Sequence, residues 1–186
     1  MKIGFILPGR EFSNNFLDSW TNVLFNMPSE WKWFHVSGYV PNIFYNRQAL
    51  LDRAKLFRPT HYMWIDNDQV FNFTQLEKLI QHNKPIVSGI YKKSPTLLAC
   101  CDLEGKTMHI DDIAFKTELI EVKANGMGFM LVKAEVFDRI VDPFEPLNPD
   151  QWEDFTFQEK ARNAGFKSYI DPTLIIGHEK KTILWE

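Results

Sequence analysis

The sequence predicts an α/β fold in a single domain over residues 1–186: a mostly parallel central sheet flanked by helices, with a small antiparallel hairpin region. Three observations predict it. Short apolar runs alternate with amphipathic stretches through the first half of the chain, the pattern of strands joined by helical crossovers. Between residues 96 and 123 that alternation gives way to short β-prone runs around a turn, as hairpins require. The 186 residues are 45% hydrophobic and 15% aromatic, enough for one core with little room for a second.

Ile3 to Leu7 reads as a buried strand that Pro8-Gly9 stops. Ser13 or Asn14 can cap the following helix, whose apolar positions are Phe16, Leu17, Trp20, Val23 and Leu24. A strand over Trp33 to Val40 leads to a helix from Asn46 to Phe57. Its inward side carries Ala49, Leu50, Ala54 and Phe57, and it stops ahead of Arg58-Pro59. His61 to Ile65 is the next strand, Phe73 to His82 a helix with Leu76, Leu79 and Ile80 inward, and Pro85 to Ile90 a strand. The hairpin region comprises Thr96 to Cys101, Thr107 to Ile110 and Leu119 to Lys123, with a turn at Glu104-Gly105-Lys106. Gly128 to Val132 re-enters the core, Ala134 to Ile140 is helical, and the prolines of Asp142 to Pro149 dictate an irregular loop. A helix from about Phe155 to Asn163 ends at Gly165, and a strand from Ser168 to Ile170 runs on toward His178.

Charge and cysteine usage narrow the function classes. The formal charge is -3 and the cations are dispersed, which disfavours a nucleic-acid partner. Cys100 and Cys101 are neighbours and supply no disulfide scaffold, so the thiols suit a reducing compartment. The apolar start from Met1 to Gly9 is too short to span a membrane and lacks the layout of a secretory leader. The expectation is an intracellular, cytoplasmic soluble protein without a transmembrane segment, compatible with peripheral attachment to a membrane surface. Nothing in the sequence specifies an oligomeric state.

The chemistry centres on Tyr62-Met63-Trp64-Ile65-Asp66-Asn67-Asp68. Open α/β sheets bind ligands at the carboxyl ends of their strands, and Asp66 and Asp68 stand at such an end. Two hard carboxylates there suit Mn²⁺ or Mg²⁺, and the ion can carry the oxygens of a diphosphate. On its own the pair is equally well explained as a solvated turn. His35, His61, His82 and His109 lack metal-ligand spacing, and Trp64 reads as core.

Further segments resemble the GT-A glycosyltransferases in the order that family has them. Trp152-Glu153-Asp154-Phe155 through Ile170-Asp171-Pro172 resembles their late catalytic segment, and Ile175-Ile176-Gly177-His178-Glu179 the place where they supply a metal histidine. Asn125-Gly126-Met127-Gly128-Phe129 resembles their sugar-site segment, and Tyr45-Asn46-Arg47-Gln48 the start of their nucleotide-side helix. The resemblance spans about Ile3 to Glu179 and implies the following roles. Asp68 and His178 are metal ligands, and Asp66 orients the ribose or reaches the metal through water. Arg47 lies near the nucleotide phosphates, and Gly126 and Gly128 admit the sugar. Asp154 is the general base of an inverting displacement, with Glu153 as the competing candidate. The donor is then a nucleotide-diphospho-sugar, UDP-sugar favoured over GDP-sugar, and the acceptor a glycan or other hydroxyl compound. An aromatic among Phe12, Tyr39, Phe44 and Tyr45 contacts the base.

Each role has a structural competitor: a helix cap for Asp154, a surface residue for His178, a solvated helix position for Arg47, a sheet bend for the two glycines. Lys92, Lys93, Lys180 and Lys181 read equally as phosphate contacts or solvated cations. At the level of activity the alternatives are a retaining glycosyltransferase, a sugar nucleotidyltransferase and a non-catalytic sugar-nucleotide or glycan-binding module. Pro8-Gly9-Arg10-Glu11 is a poor nucleotidyltransferase loop. Many GT-A enzymes carry a larger acceptor-binding region after the metal histidine. With little sequence after His178, acceptor recognition is expected from the hairpins, the proline-rich loop or a partner, the alternative being that the chain is an excised catalytic domain.

Overall fold

The computed structural model describes residues 1–148 and 150–180; Pro149 of the proline-rich loop, Lys181 and the rest of the 181–186 stretch lie outside the described residues. The chain begins β1 (Lys2–Pro8), α1 (Asn14–Asn26), β2 (Lys32–Gly38), α2 (Ile43–Lys55), β3 (His61–Ile65), β4 (Gln69–Val70), α3 (Phe73–Gln81) and β5 (Ile86–Ile90). The hairpin region follows with β6 (Leu97–Cys101), β7 (Thr107–His109), a 3-10 turn over Ile110–Ile113, β8 (Ile120–Val122) and β9 (Ala124–Asn125). The chain closes with β10 (Phe129–Lys133), α4 (Ala134–Asp138), α5 (Glu153–Asn163), β11 (Ser168–Ile175) and β12 (Gly177–His178).

The main sheet has the order β2-β1-β3-β10-β5-β11-β8. β1 pairs in parallel with β2 and β3, and β5 in parallel with β11, while β10 runs antiparallel between β3 and β5. Alternate residues feed two cores. Ile6, Trp64, Met130 and Val132 face α2, α4 and α5, whereas Phe5, Met63, Ile65 and Leu131 face α1 and α3. Burial on both faces is why these central strands read as unbroken apolar runs. Each large side chain so enclosed, such as Trp64 and Phe5, is worth about 1.5–3 kcal/mol or more.

Helix ends follow local chemistry. Ser13 caps α1 by accepting from the Phe16 N–H, and Asn72 caps α3 within a capping box completed by Gln75. Gly165, at φ +90°, closes α5, with Phe166 N–H bonding back to the Ala161 carbonyl.

Several sequence expectations need correction. The helix expected from Asn46 begins at Ile43, because Asn42 accepts from the Phe44 and Tyr45 N–H groups. Its buried stripe is Asn46, Arg47, Leu50, Leu51 and Ala54; Ala49 and Phe57 are exposed. On α1, Leu17 is exposed and Ser19 takes an inward position, its hydroxyl accepting from the Phe71 N–H. The segment expected as a third hairpin strand, Leu119 to Lys123, instead contributes β8 to the edge of the main sheet, antiparallel to β11. The short sheet over it is β7-β6-β9. Ile170 does not end the last long strand, which continues to Ile175. α5 starts at Glu153, so Asp154 lies inside its first turn and not ahead of it.

Candidate functional site

The carboxyl ends of β1, β3 and β5 and the start of antiparallel β10 meet at one edge of the sheet. Asp66 leaves β3 there and enters a tight turn closed by Gln69 N–H to the Asp66 carbonyl, 3.2 Å. The turn sends Asp66 and Asp68 to different partners. Asp66 is held by Arg47, whose Nη2 lies 3.1 Å from Oδ1 and donates to Oδ2 at 3.2 Å. Arg47 Nε donates to Glu153 Oε1 at 2.9 Å, and the guanidinium lies 5.6 Å from the Trp64 ring. Burial opposes the charge of Arg47, and the carboxylates of Asp66 and Glu153 more than offset it, so the side chain stays a cation. One donor, Arg47 Nη1, is buried with no hydrogen-bond partner, as is Asp66 Oδ1.

Asp68 turns toward β12, which pairs with β4 and so brings His178 across. His178 Nε2 stands 2.9 Å from Asp68 Oδ2, and Gln69 Nε2 donates to Asp68 Oδ1 at 3.0 Å. The Lys92 carbonyl accepts from His178 Nδ1 at 2.6 Å, which fixes the ring and aims Nε2 at Asp68. Burial pushes the Asp68 carboxyl up, but the bond and charge attraction to His178, with Gln69 and Lys180, together outweigh that and hold it below the usual carboxylate range. The same bond raises the His178 imidazole. Lys180 Nζ adds a third group, 2.7 Å from His178 Nε2 and 3.8 Å from Asp68 Oδ2. Among the described residues no three His, Cys, Asp or Glu side chains converge as a metal-holding group.

Asp154 is half-buried, accepts from the Phe155 N–H at 2.8 Å, and is pushed up to about 7 by burial and by the adjacent Glu153 carboxylate. Asp66 is likewise raised, first by burial, with Arg47 pulling the other way. Three carboxylates thus share the buried Arg47, an excess of negative charge that invites a proton or a cation.

Tyr91 is the residue sequence reasoning missed. It follows β5 and is buried, its hydroxyl accepts from the Gly128 N–H at 3.1 Å, and its ring meets His178 edge-on at 4.9 Å. A Cβ at Gly126 would lie 2.0 Å from the Tyr91 hydroxyl, and one at Gly128 2.9 Å from its ring. Both glycines make room for Tyr91. The signal was available: Gly-x-Gly ahead of a core strand asks what large neighbour occupies the vacated space.

Two adjoining cavities, of about 290 and 560 Å³, share Arg10, Tyr39, Asn67 and Asp68. The first also reaches Pro8, Ile43, Asn46 and Asp66; the second Phe12, Ser13, Glu179 and Lys180. Gly9 packs so closely on this turn that a Cβ would sit 2.6 Å from the Asn67 Cβ. Of the four aromatics expected at a nucleobase, Phe12 and Tyr39 line this cleft, whereas Phe44 and Tyr45 line a separate cavity beyond the first turn of α2.

No family model and no curated protein matches the chain. Solved structures do. The crystal structure of A197 from STIV aligns over 100% of this chain and 98% of that one, with a TM-score of 0.63 at 15% identity. GalNAc-T7, crystallised with UDP, GalNAc and Mn²⁺, aligns over 97% of this chain but 44% of its own length, with a TM-score of 0.62 at 12% identity. At such identities the likeness is one of fold, and it supports a GT-A-like architecture for this chain.

Proposed function

We propose that this single GT-A-like domain is a metal-dependent glycosyltransferase. It moves a sugar from a nucleotide-diphospho-sugar, UDP-sugar favoured, to a hydroxyl acceptor by an inverting displacement. The observation that carries the reading is the meeting of Asp68 with His178, 110 residues on in the chain, where Asp68 lines a cleft large enough for a nucleotide. The GalNAc-T7 neighbour, which holds UDP and Mn²⁺ in a related fold, supports the choice of ligands.

The residues fit a divalent ion. Asp68 offers carboxylate oxygen, and His178 offers Nε2 with its other nitrogen already tied to a carbonyl, the arrangement that orients an imidazole for ligation. With two side-chain ligands, the remaining positions would go to diphosphate oxygens and water, as Mn²⁺ and Mg²⁺ accept. Bound there, the ion would neutralise charge developing on the departing diphosphate. Asp66, which lines the cleft, can accept from a ribose hydroxyl, and the buried Arg47 holds its carboxylate in place from behind. Gly126 and Gly128, expected to admit the sugar, give their vacated space to Tyr91 instead, so their part in the site is to seat that ring beside His178. Asp154, raised to about 7, is matched to accept the acceptor's proton near neutral pH, with Glu153 occupied by Arg47.

Isothermal titration of UDP with and without Mn²⁺ tests the reading. Parent protein should bind UDP in a Mn²⁺-dependent manner, and Asp68→Ala and His178→Ala should each weaken that binding at least tenfold while the fold persists. If both variants bind like the parent, the pair is no metal site. A chain that binds UDP-sugar but releases no nucleoside diphosphate with any acceptor is a non-catalytic module instead.

A further inference from the structure

The first turn of α2 separates the nucleotide-side cleft from a second cavity of about 460 Å³. Ile43 and Asn46 face the cleft; Phe44, Tyr45 and Gln48 face the second cavity, opposite Asp142, Phe144 and Glu145. Both walls are held in place. Asn42 Oδ1 caps the helix start, and Lys160 Nζ donates to the Asp142 and Glu145 carbonyls at 2.6 and 2.8 Å. Phe144 is fully buried, edge-on to Trp64 at 5.3 Å, and gives an apolar floor. Tyr45 is 70% exposed, a large aromatic surface with no core role.

The polar lining is one-sided. Gln48 spends its Nε2 on Asp52 at 2.9 Å and keeps a buried Oε1 with no partner. Asp142 and Glu145 are in no ion pair among the described residues. The helix N–H groups that would attract an anion are taken by Asn42. The cavity therefore offers acceptors beside an aromatic wall and no cation among its lining residues; Lys160, behind the loop, is spent on the Asp142 and Glu145 carbonyls. A phosphate or carboxylate is disfavoured there by like charge. A pyranose ring suits it, since it presents an apolar face to an aromatic and hydroxyl donors at its edge.

We propose that this cavity binds a pyranose unit of the acceptor, its face on Tyr45 and its hydroxyls donating to Asp142 and Glu145. The acceptor role rests on the glycosyltransferase reading; sugar binding does not. It would give the proline-rich loop a part in acceptor recognition. Arg47, directly before Gln48, reaches Glu153 on the other side of the same turn, next to Asp154.

Saturation-transfer difference NMR on the intact chain, without nucleotide or metal, tests it. The probes are methyl β-D-glucopyranoside, methyl β-D-galactopyranoside, methyl α-D-mannopyranoside and methyl N-acetyl-β-D-glucosaminide, with inorganic phosphate as competitor. At least one glycoside should show transfer to its ring protons that phosphate does not displace. Tyr45→Ala should weaken it roughly tenfold and Glu145→Lys severalfold, whereas Tyr45→Phe should stay within about twofold. No transfer to any glycoside, displacement by phosphate, or transfer untouched by Tyr45→Ala and Glu145→Lys overturns the proposal. A chain that binds glycoside through Tyr45 yet ignores UDP and Mn²⁺ sinks the transferase reading alone.

Discussion

Asp154→Asn removes a charge and little else, because the amide oxygen can still accept from the Phe155 N–H that Asp154 now holds at 2.8 Å. In the folded chain the carboxyl is raised to about 7, first by burial and then by Glu153, against about 3.9 when unfolded. A carboxyl raised on folding makes stability fall as pH climbs from the unfolded value to the folded one, then level off. At about 1.36 kcal/mol per unit, the charged group costs at most about 4 kcal/mol at pH 8, and about 1.5 kcal/mol at pH 5. Asp154→Asn should therefore be more stable than the parent at pH 8, with the advantage shrinking by about 2–3 kcal/mol at pH 5. Urea unfolding at both pH values measures this. Transfer should fall by about 10²–10⁴-fold with UDP affinity retained, the mark of a group acting in the transition state. A stability gain equal at the two pH values would show that Asp154 is not held near 7. Near-normal transfer by the variant, or a retained anomeric configuration in the product, would remove it as the base.

Other perturbations follow from the same geometry. Arg47→Met leaves the buried Glu153 and half-buried Asp66 without their counter-charge and should cost about 3–5 kcal/mol at pH 8, less at pH 5 where the raised Asp66 carboxyl can take a proton; urea unfolding shows the difference. A pH-independent loss would mean that packing on Trp64, not charge, is what Arg47 supplies. Gly126→Ala places a methyl 2.0 Å from the Tyr91 hydroxyl and should destabilise by about 1–3 kcal/mol. In a Tyr91→Ala background that penalty should largely vanish; an unchanged penalty in the double-mutant cycle would mean that Tyr91 is not what the glycine accommodates.

The alternation of strand and helix and the strand ends at Ile65 and Ile90 were legible in the sequence by itself; the division of the interior into a core on each face of the sheet was not. Central strands buried on both faces leave continuous apolar runs, and Asn, Ser and Gly mark helix ends through local hydrogen bonds and φ preferences. The orientation of α2 was not legible. Apolar periodicity pointed to Ala49 and Phe57, but Arg47 faces inward because Glu153, 106 residues away, and Asp66 wait beneath it. β8 reads as another hairpin strand until non-local pairing with β11 claims it for the main sheet edge. Asp66-Asn67-Asp68 declares two carboxylates but not that a turn divides them, one to Arg47 and one to His178 110 residues on. Tyr91 carries no motif at all; its place beneath Gly126 and Gly128 exists only once β5 and β10 lie side by side. Local sequence sets which face of an element is apolar. Which charges and rings then meet depends on the tertiary arrangement, since their partners are distant in the chain and adjacent only in the fold.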